Sequence, residues 1–216
     1  MKKVLIIGAS GKIGRLLTEK LNDDTEFSPV ALFRSEDQKD FFEKLGVEYK
    51  IISLEDSIDM ISNAMVGADA IVFTAGSGGK TGYDKTLAID LDGAVKAMDA
   101  AKQAGVKRFV MVSALNTDKR ETWNDSGIKP YYIAKHYADR ILKSSGLDYT
   151  IMRPGRLVDD AGNGKVTTSN PAANKSVPRE DVASIIVEVL KQDDTIRKII
   201  EFNQGDTPIP EAIKGI

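Results

Sequence analysis

The sequence predicts an α/β fold in which a parallel sheet lies between two layers of helices, a doubly wound arrangement. Short apolar segments alternate with longer amphipathic segments along the whole chain, as expected of repeated strand–helix–strand units. The first apolar run, residues 4–7, leads directly into a glycine-rich turn at residues 8–14. With 216 residues, the chain is long enough for a single domain, residues 1–216, with a continuous core.

Seven apolar segments are the predicted strands, and the helices fall between them. In chain order, the strands comprise residues 3–7, 29–33, 48–52, 70–74, 108–113, 149–153 and 199–203. Apolar residues spaced three and four apart place the helices, and Gly105 closes the helix before the fifth strand. Pro130 and Pro178 each suit the first turn of a later helix. Glycine and small polar residues predict loops at residues 76–82 and 159–175.

Composition limits the kinds of partner and site. The chain has 30 basic and 32 acidic side chains and a formal charge of -2, which gives no reason to expect nucleic acid or an acidic membrane surface as a partner. It has no cysteine and one histidine, His136, so no disulfide, cysteine nucleophile or metal site is expected. The four apolar residues before the glycine turn are too few for a secretion signal or a membrane span. We therefore expect a cytoplasmic protein whose partner is a small molecule.

The glycine-rich turn has glycine at every third position, Gly8, Gly11 and Gly14. Between a strand and a helix, glycine permits a tight turn, close approach of a pyrophosphate and close packing of the helix on the strand. Free amides at the start of the helix then face the anion. The pattern predicts dinucleotide binding by Gly8, Ser10, Gly11, Lys12, Ile13 and Gly14. A glycine turn that binds nothing is the alternative, because the commonest fingerprint begins Gly-x-Gly.

Loops that leave the carboxyl ends of parallel strands gather along one edge of the sheet, where ligands of such sheets bind. The glycine turn, the residues after the fourth strand, the loop 113–129 and residues 153–155 all follow predicted strands. We therefore expect them to line a common crevice. Further cofactor contacts are expected there from Leu54, Thr74, Ala75, Gly76 and Pro154.

The end of the second strand indicates which dinucleotide is preferred. A fold that prefers NAD usually places Asp or Glu there to bond the ribose hydroxyls, whereas this chain has Arg34 and Ser35. A guanidinium and a hydroxyl suit a 2′-phosphate, so NADP is the expected cofactor. Because Glu36 and Asp37 follow directly, NAD is the alternative, and Arg34 is then an ordinary surface residue.

Residues 74–81 imitate a nucleoside-triphosphate loop, since they follow a strand and end in Gly-Lys-Thr. Thr74 occupies the position where that loop has its leading glycine. The loop must also run directly into a helix, but here Gly82 follows and the periodic helix begins only beyond Asp84. We therefore expect a loop beside the nicotinamide or the substrate, and not ATP or GTP hydrolysis.

Tyr131 and Lys135 are the candidate catalytic pair, because their spacing of four residues places them on one face of a helix. A nearby ammonium stabilises a phenolate, so we expect it to lower the pKa of the tyrosine towards neutrality. Lys135 can also donate to the nicotinamide ribose. An amphipathic helix with no catalytic role is the alternative. His136 points to another side of the helix, and Trp123 is either a lid over the substrate or an anchor for its loop.

Several motifs together resemble those of the atypical, extended-like branch of the short-chain dehydrogenase/reductase superfamily, and the resemblance covers nearly the whole chain. It is carried by residues 8–14, 88–93, 106–113, 131–135, 148–155 and 177–183. The resemblance implies a Rossmann fold with a seven-stranded parallel sheet, a bound dinucleotide and a catalytic Ser/Thr, Tyr and Lys. Tyr131 and Lys135 match that group, and Ser113 is the candidate hydroxyl.

Two functions follow from this resemblance. The first is an NADP(H)-dependent oxidoreductase that reduces a small flavin, quinone or carbonyl by hydride transfer, and the alternative is a non-catalytic NADP(H)-sensing regulatory or binding protein. The substrate side is assigned mainly to residues 154–178 and 204–216, a region too short to suit a large nucleotide sugar. The expected oligomeric state is a monomer or a homodimer.

Overall fold

The computed structural model describes residues 1–79, 81–169, 171 and 175–216, without the side chain of residue 125. The strands are β1 Lys2–Ile7, β2 Phe27–Phe33, β3 Glu48–Ile51, β4 Ala70–Phe73, β5 Arg108–Val112, β6 Asp148–Pro154, β7 Arg156–Val158, β8 Lys165–Thr167, β9 Ser176–Pro178, β10 Lys198–Gln204 and β11 Thr207–Pro208. The α-helices are α1 Lys12–Asp23, α2 Asp40–Leu45, α3 Ile58–Met65, α4 Tyr83–Lys85, α5 Ala94–Gln103, α6 Lys129–Ser144, α7 Arg179–Lys191 and α8 Ile209–Ile213. A π-helix, Thr86–Gly93, joins α4 to α5.

The main sheet has the order β11-β8-β10-β6-β5-β4-β1-β2-β3. The strands from β10 to β3 in this order are parallel and match the seven predicted strands within two residues at each end. The strand order reverses between β1 and β4, which is where ligands of doubly wound sheets bind, outside the carboxyl ends of the strands.

The prediction of a seven-stranded, wholly parallel sheet is wrong at one edge. Two short strands, β8 and β11, extend the sheet to nine strands, and both pair antiparallel. Strand β8 lies inside the predicted loop 159–175, which is therefore only partly a loop among its described residues. Strands this short carry no apolar periodicity from which to predict them. Strands β7 and β9 form a separate two-stranded parallel sheet.

Most helix-end predictions are confirmed. Pro130 lies in the first turn of α6, and Gly105 has a φ of +75° just beyond α5. Pro178 precedes α7 as its N-cap residue and so lies one position before the expected first turn. The described part of the loop 76–82 has no helix or strand, and Lys80 of the imitated nucleoside-triphosphate loop lies outside the described residues.

Both faces of the sheet are buried by helices, as predicted. Alternate residues of β1 point to opposite sides, so that Val4 and Ile6 join one apolar cluster and Leu5 and Ile7 join the other. Helices α1 and α7 cover the first side, and α3, α5 and α6 cover the second. Within the described part of the chain, no helix has the length and hydropathy needed to cross a membrane.

Candidate active site

The glycine turn between β1 and α1 is packed too closely for side chains. Gly8 has a φ of +82°, and a Cβ on it would lie 2.7 Å from the backbone of Ala75. A Cβ on Gly14 would lie 2.4 Å from the carbonyl oxygen of Gly8. The first glycine thus lets the turn approach the residues after β4, and the last lets α1 approach β1, in the roles expected from the sequence.

The backbone of this turn leaves a set of amides available. The amides of Gly8 and Ala9 each donate to the carbonyl oxygen of Leu32, at 3.1 Å. Helix α1 follows with Gly11 as its N-cap residue, and its described first turn has no acidic side chain. Amides in a first turn have no acceptor within the helix and lie at the positive end of its dipole. In α1 these amides belong to Lys12, Ile13 and Gly14.

Other expected cofactor residues lie at the same edge. The Thr74 hydroxyl donates to the carbonyl oxygen of Ile7 at 3.0 Å, which joins the end of β4 to the end of β1. Leu54 packs against Gly93, since a Cβ on this glycine would lie 3.1 Å from the Cβ of Leu54. Pro154, the last residue of β6, accepts a hydrogen bond from the amide of Leu115 at 2.9 Å.

Lys12 has a partner that sequence reasoning missed. Its ammonium contacts the carboxylate of Asp159, which also contacts the guanidinium of Arg179 at the start of α7. Hydrogen bonding to Lys12, and then the charge of Arg179, hold the pKa of Asp159 below its usual range. The carboxylate therefore links the start of α1 to the start of α7 at an exposed position. The residue lies in a stretch predicted as a loop, so no periodicity pointed to it.

The end of β2 carries a cation beside the glycine turn. Arg34 is exposed and, among the described residues, has no ion pair. The hydroxyl of Ser35 donates to the carboxylate of Asp37, and Glu36 lies 3.7 Å from the ammonium of Lys39. Amides of the glycine turn donate to the end of this same strand, which holds the turn in place. Arg34 directly follows that strand and therefore lies beside the turn.

Tyr131 and Lys135 lie on successive turns of α6, as predicted, and Lys135 is buried at the carboxyl end of β5. Its ammonium donates to the carbonyl oxygen of Val112 at 3.1 Å and lies 3.6 Å from a carboxylate oxygen of Asp90. The same ammonium lies 5.8 Å from the centre of the Tyr131 ring. With the lysine side chain only 4% exposed and that of Asp90 1% exposed, this is a buried ion pair.

The expected lowering of the tyrosine pKa is not found. Burial, and then the charge of Asp90, raise the pKa of Tyr131 well above its usual range. Burial disfavours the charged phenolate, and the carboxylate of Asp90, which is paired with Lys135, adds to this effect. Sequence reasoning named Asp90 only within a family motif, although its position between the apolar residues Ile89 and Leu91 was a signal for burial.

The side chain of Ser113 is more deeply buried than expected of a hydroxyl that donates directly to a substrate oxygen. The residue is 3% exposed, and within the described structure neither its Oγ nor Oδ1 of Asp139 has a hydrogen bond of good geometry. The other oxygen of Asp139 accepts from Thr117 and from Arg153, both at 3.0 Å. Burial raises the pKa of Asp139, and the nearby Ser113 hydroxyl counters that rise in part. Ser113 thus lies beside Asp139 of α6.

The loop between β5 and α6 is anchored from within. Trp123 is 3% exposed, and its ring nitrogen donates to the carbonyl oxygen of Asn116 at 3.2 Å. Of the two interpretations of Trp123, the anchor is the one that this structure supports. His136 lies 2.7 Å from the carbonyl oxygen of Thr117 and contacts the tryptophan ring edge-on. These contacts hold the loop and place the imidazole outside the cluster around Lys135.

The comparison with known proteins agrees with this geometry. A family model described as NAD(P)H-binding matches residues 8–193 of the chain. The chain belongs to this NAD(P)H-binding family. Its sequence is 49% identical over 212 residues to a Bacillus subtilis protein named as an uncharacterized sugar epimerase, and the match covers 98% of this chain and 99% of that protein.

Two solved structures of other proteins have folds very similar to that of this chain. One, described as a candidate NAD-dependent epimerase/dehydratase from Bacillus halodurans, has a TM-score of 0.93 and 39% identity, with 100% of both chains covered. Another, an oxidoreductase from Lactococcus lactis, has a TM-score of 0.89 and 32% identity, with 99% of this chain and 96% of that chain covered. The family resemblance and the Rossmann fold predicted from the sequence are confirmed.

Proposed function

We propose that this protein is an oxidoreductase that uses NADP(H) to reduce a small flavin, quinone or carbonyl compound. The observation that carries the proposal is the position of Lys135, whose ammonium is buried at the carboxyl end of β5 one helical turn from Tyr131. This edge of the sheet also carries the glycine turn. The L. lactis relative, named as an oxidoreductase, supports the same class of chemistry.

The residues at the glycine turn fit a dinucleotide. Side chains at Gly8 and Gly14 would collide with backbone, and the amides of the first turn of α1 lack helical acceptors, so a pyrophosphate suits this cradle. When bound, the reduced dinucleotide supplies a hydride. We assign its binding to Gly8, Ser10, Gly11, Lys12, Ile13, Gly14, Arg34, Ser35, Leu54, Thr74, Ala75, Gly76, Lys135 and Pro154.

NADP is the proposed cofactor in preference to NAD. Arg34 is exposed and without an ion pair among the described residues, so its guanidinium is available to a 2′-phosphate. The two nearby carboxylates that could instead bind ribose hydroxyls are engaged, Glu36 with Lys39 and Asp37 with Ser35. Binding of the 2′-phosphate by Arg34 therefore needs no rearrangement of this turn, whereas Ser35 would have to exchange its bond to Asp37 for one to the phosphate.

Tyr131 is the proposed proton donor. Its hydroxyl is protonated at neutral pH because the ordinary pKa of tyrosine is about 10, and burial and then Asp90 raise that pKa further. The hydroxyl can therefore neutralise a developing anion on the substrate. Lys135 is assigned to the nicotinamide ribose. Ser113, which directly follows β5, is the proposed third catalytic residue, acting from beside Asp139. Residues 154–178 and 204–216 are proposed to form the substrate side.

The test is an assay of NADPH oxidation with a panel of flavins, quinones and small carbonyls. Replacing Tyr131→Phe removes only the hydroxyl, and we expect the rate to fall by about a hundredfold or more. Tyr132→Phe is the matched control, because this neighbouring hydroxyl on α6 has no assigned role, and its rate should stay near that of the unchanged protein. Equal rates for the two variants, or no oxidation with any acceptor, would overturn the enzymatic proposal.

A further inference from the structure

The π-helix that joins α4 to α5 carries a carboxylate into the candidate active site. Asp90 is 1% exposed in the middle of this helix, which packs against α6. π-helical turns are rare and frequently lie at functional sites. Burying a carboxylate is costly unless it is paired and hydrogen-bonded, so the partners of Asp90 indicate what it does.

Asp90 joins two parts of the site. One carboxylate oxygen lies 3.6 Å from the ammonium of Lys135, and the other accepts a hydrogen bond from the amide of Ser77 at 3.0 Å. A Cβ on Gly76 would lie 3.1 Å from the first oxygen. The carboxylate therefore fixes the lysine against the segment that follows β4.

Among the described residues, the titratable groups that face Tyr131 come from two elements. Asp90 approaches from the π-helix, and Tyr132, Lys135 and Asp139 belong to α6 itself. The ammonium of Lys135 lies over the ring and is already paired with Asp90. A paired ammonium has little net charge left with which to stabilise a phenolate. Burial of the tyrosine is the larger cause of its raised pKa, and the charge of Asp90 adds to it, so both favour the neutral phenol.

We infer that Asp90 is a positioning residue that balances the charge of Lys135 and so helps to keep Tyr131 protonated, the form that donates a proton in reduction. The inference rests on the roles proposed above for Tyr131 and Lys135. In the step it favours, the substrate gains a hydride from the reduced dinucleotide, which becomes oxidised, and a proton from the tyrosine hydroxyl. The tyrosinate then regains a proton from water. The reverse oxidation would need an ionised tyrosine as base, which Asp90 disfavours.

The test is the ionisation of Tyr131 itself, followed in the full chain by NMR of tyrosine labelled with ¹³C at Cζ, with Tyr131→Phe to assign the resonance. Asp90→Asn keeps the shape of the side chain and an acceptor for Ser77 but removes the charge. We expect the midpoint of the Tyr131 titration to fall by about one pH unit or more, the effect of removing one nearby like charge. An unchanged midpoint would overturn the inference.

The control lies on the same helix. Asp92 is exposed, so Asp92→Asn removes the same charge from the π-helix without touching Lys135, and we expect no change in the midpoint. An equal fall in both variants would show a general charge effect and would also count against Asp90.

A second pair of variants protects the test from misfolding. Asp90→Asn alone leaves a buried ammonium unpaired, which is strongly destabilising. The double variant Asp90→Asn with Lys135→Met removes both charges, and Lys135→Met alone removes the lysine. The tyrosine should titrate at lower pH in the double variant than in the single Lys135→Met variant, and equal midpoints would contradict the inference.

Failure of this inference can be told apart from failure of the proposed function. The titration needs no substrate and no turnover, so it reports on Asp90 even if the assay panel shows no NADPH oxidation. In an active protein, Asp90→Asn should also extend oxidation of the reduced product to lower pH by the same shift as the titration. A shifted titration with an unshifted pH profile would limit Asp90 to a structural role.

Discussion

Lys135 shows how the chemistry of a single charged residue depends on what lies beside it. The ammonium has a backbone carbonyl at 3.1 Å and the Asp90 carboxylate at 3.6 Å, so its position does not depend on a bound ligand. A buried ammonium with no such partners would lose its proton or destabilise the fold. Burial of Tyr131, together with this pairing, explains why the lysine does not lower the pKa of the tyrosine.

Gly8 allows a prediction with a matched control. Gly8 and Gly146 both have a φ of +82°, but a Cβ on Gly146 meets no atom within 4 Å, whereas one on Gly8 meets the backbone of Ala75 at 2.7 Å. Gly146→Ala should cost only backbone strain, about 1 to 2 kcal/mol in the free energy of unfolding. Gly8→Ala should cost more and should also abolish NADPH binding.

Chemical denaturation and a dinucleotide titration of both variants check this expectation. Equal losses of stability, with dinucleotide binding kept in Gly8→Ala, would show that the close approach of the turn to Ala75 has no part in binding.

At this scale the sequence was informative about local spacing and not about contact between distant residues. Tyr131 and Lys135 share a helix, so their spacing alone predicted that they lie on one face. Asp90 is far from Lys135 in the sequence, and their contact depends on how the π-helix packs on α6. Asp159 reaches Lys12 for a similar reason. No local rule predicts either pair.

Helices α1 and α7 illustrate how elements are fixed to one another. They pack side by side on one face of the sheet, and Asp24, which ends α1, contacts the ammonium of Lys191 at the end of α7 at 2.7 Å. Hydrogen bonding to this lysine lowers the pKa of Asp24 below its ordinary value of 3.8. Apolar residues of both helices are buried in one cluster, and the ion pair adds a pH-dependent contribution to stability.

This pair gives a prediction on stability against pH. Because the folded pKa of Asp24 is depressed, its contribution is present above 3.8 and is lost as the pH falls through the folded pKa. Asp24→Asn should therefore lower the free energy of unfolding at pH 7 by less than about 1 kcal/mol, and the deficit should shrink in acid. Denaturation at several pH values measures it.

Asp23→Asn is the control, since Asp23 is the exposed neighbour and no ion pair involves it among the described residues. A deficit in Asp24→Asn that persists unchanged in acid would contradict the account of the pair.

Elements with a strong hydrophobic pattern, either a continuous apolar run or a helical period, were predictable, and elements without one were not. The parallel strands are continuous apolar runs, such as Ile71, Val72 and Phe73 in β4, because both faces of the sheet are covered. Strand β11 has two residues, one of them Pro208, so it shows no alternation. The π-helix was also missed, because its residues fit an ordinary amphipathic helix as well.

For the whole molecule, topology turns local features into a site. The reversal of strand order between β1 and β4 brings the glycine turn, the segment after β4 and the start of α6 to the same edge. The sequence predicted this because parallel strands with right-handed crossovers leave few alternatives. It did not predict the antiparallel extension by β8 and β11, which lies at the far edge from β3.

The central claim is that this edge binds a dinucleotide with a 2′-phosphate, and calorimetric titration of the ligand-free protein with NADPH and with NADH tests it most directly. We expect saturable binding of one NADPH per chain, with NADH bound at least about tenfold more weakly, a difference of about 1.4 kcal/mol. Tighter binding of NADH would contradict the role of Arg34, and no heat with either nucleotide would contradict the whole account.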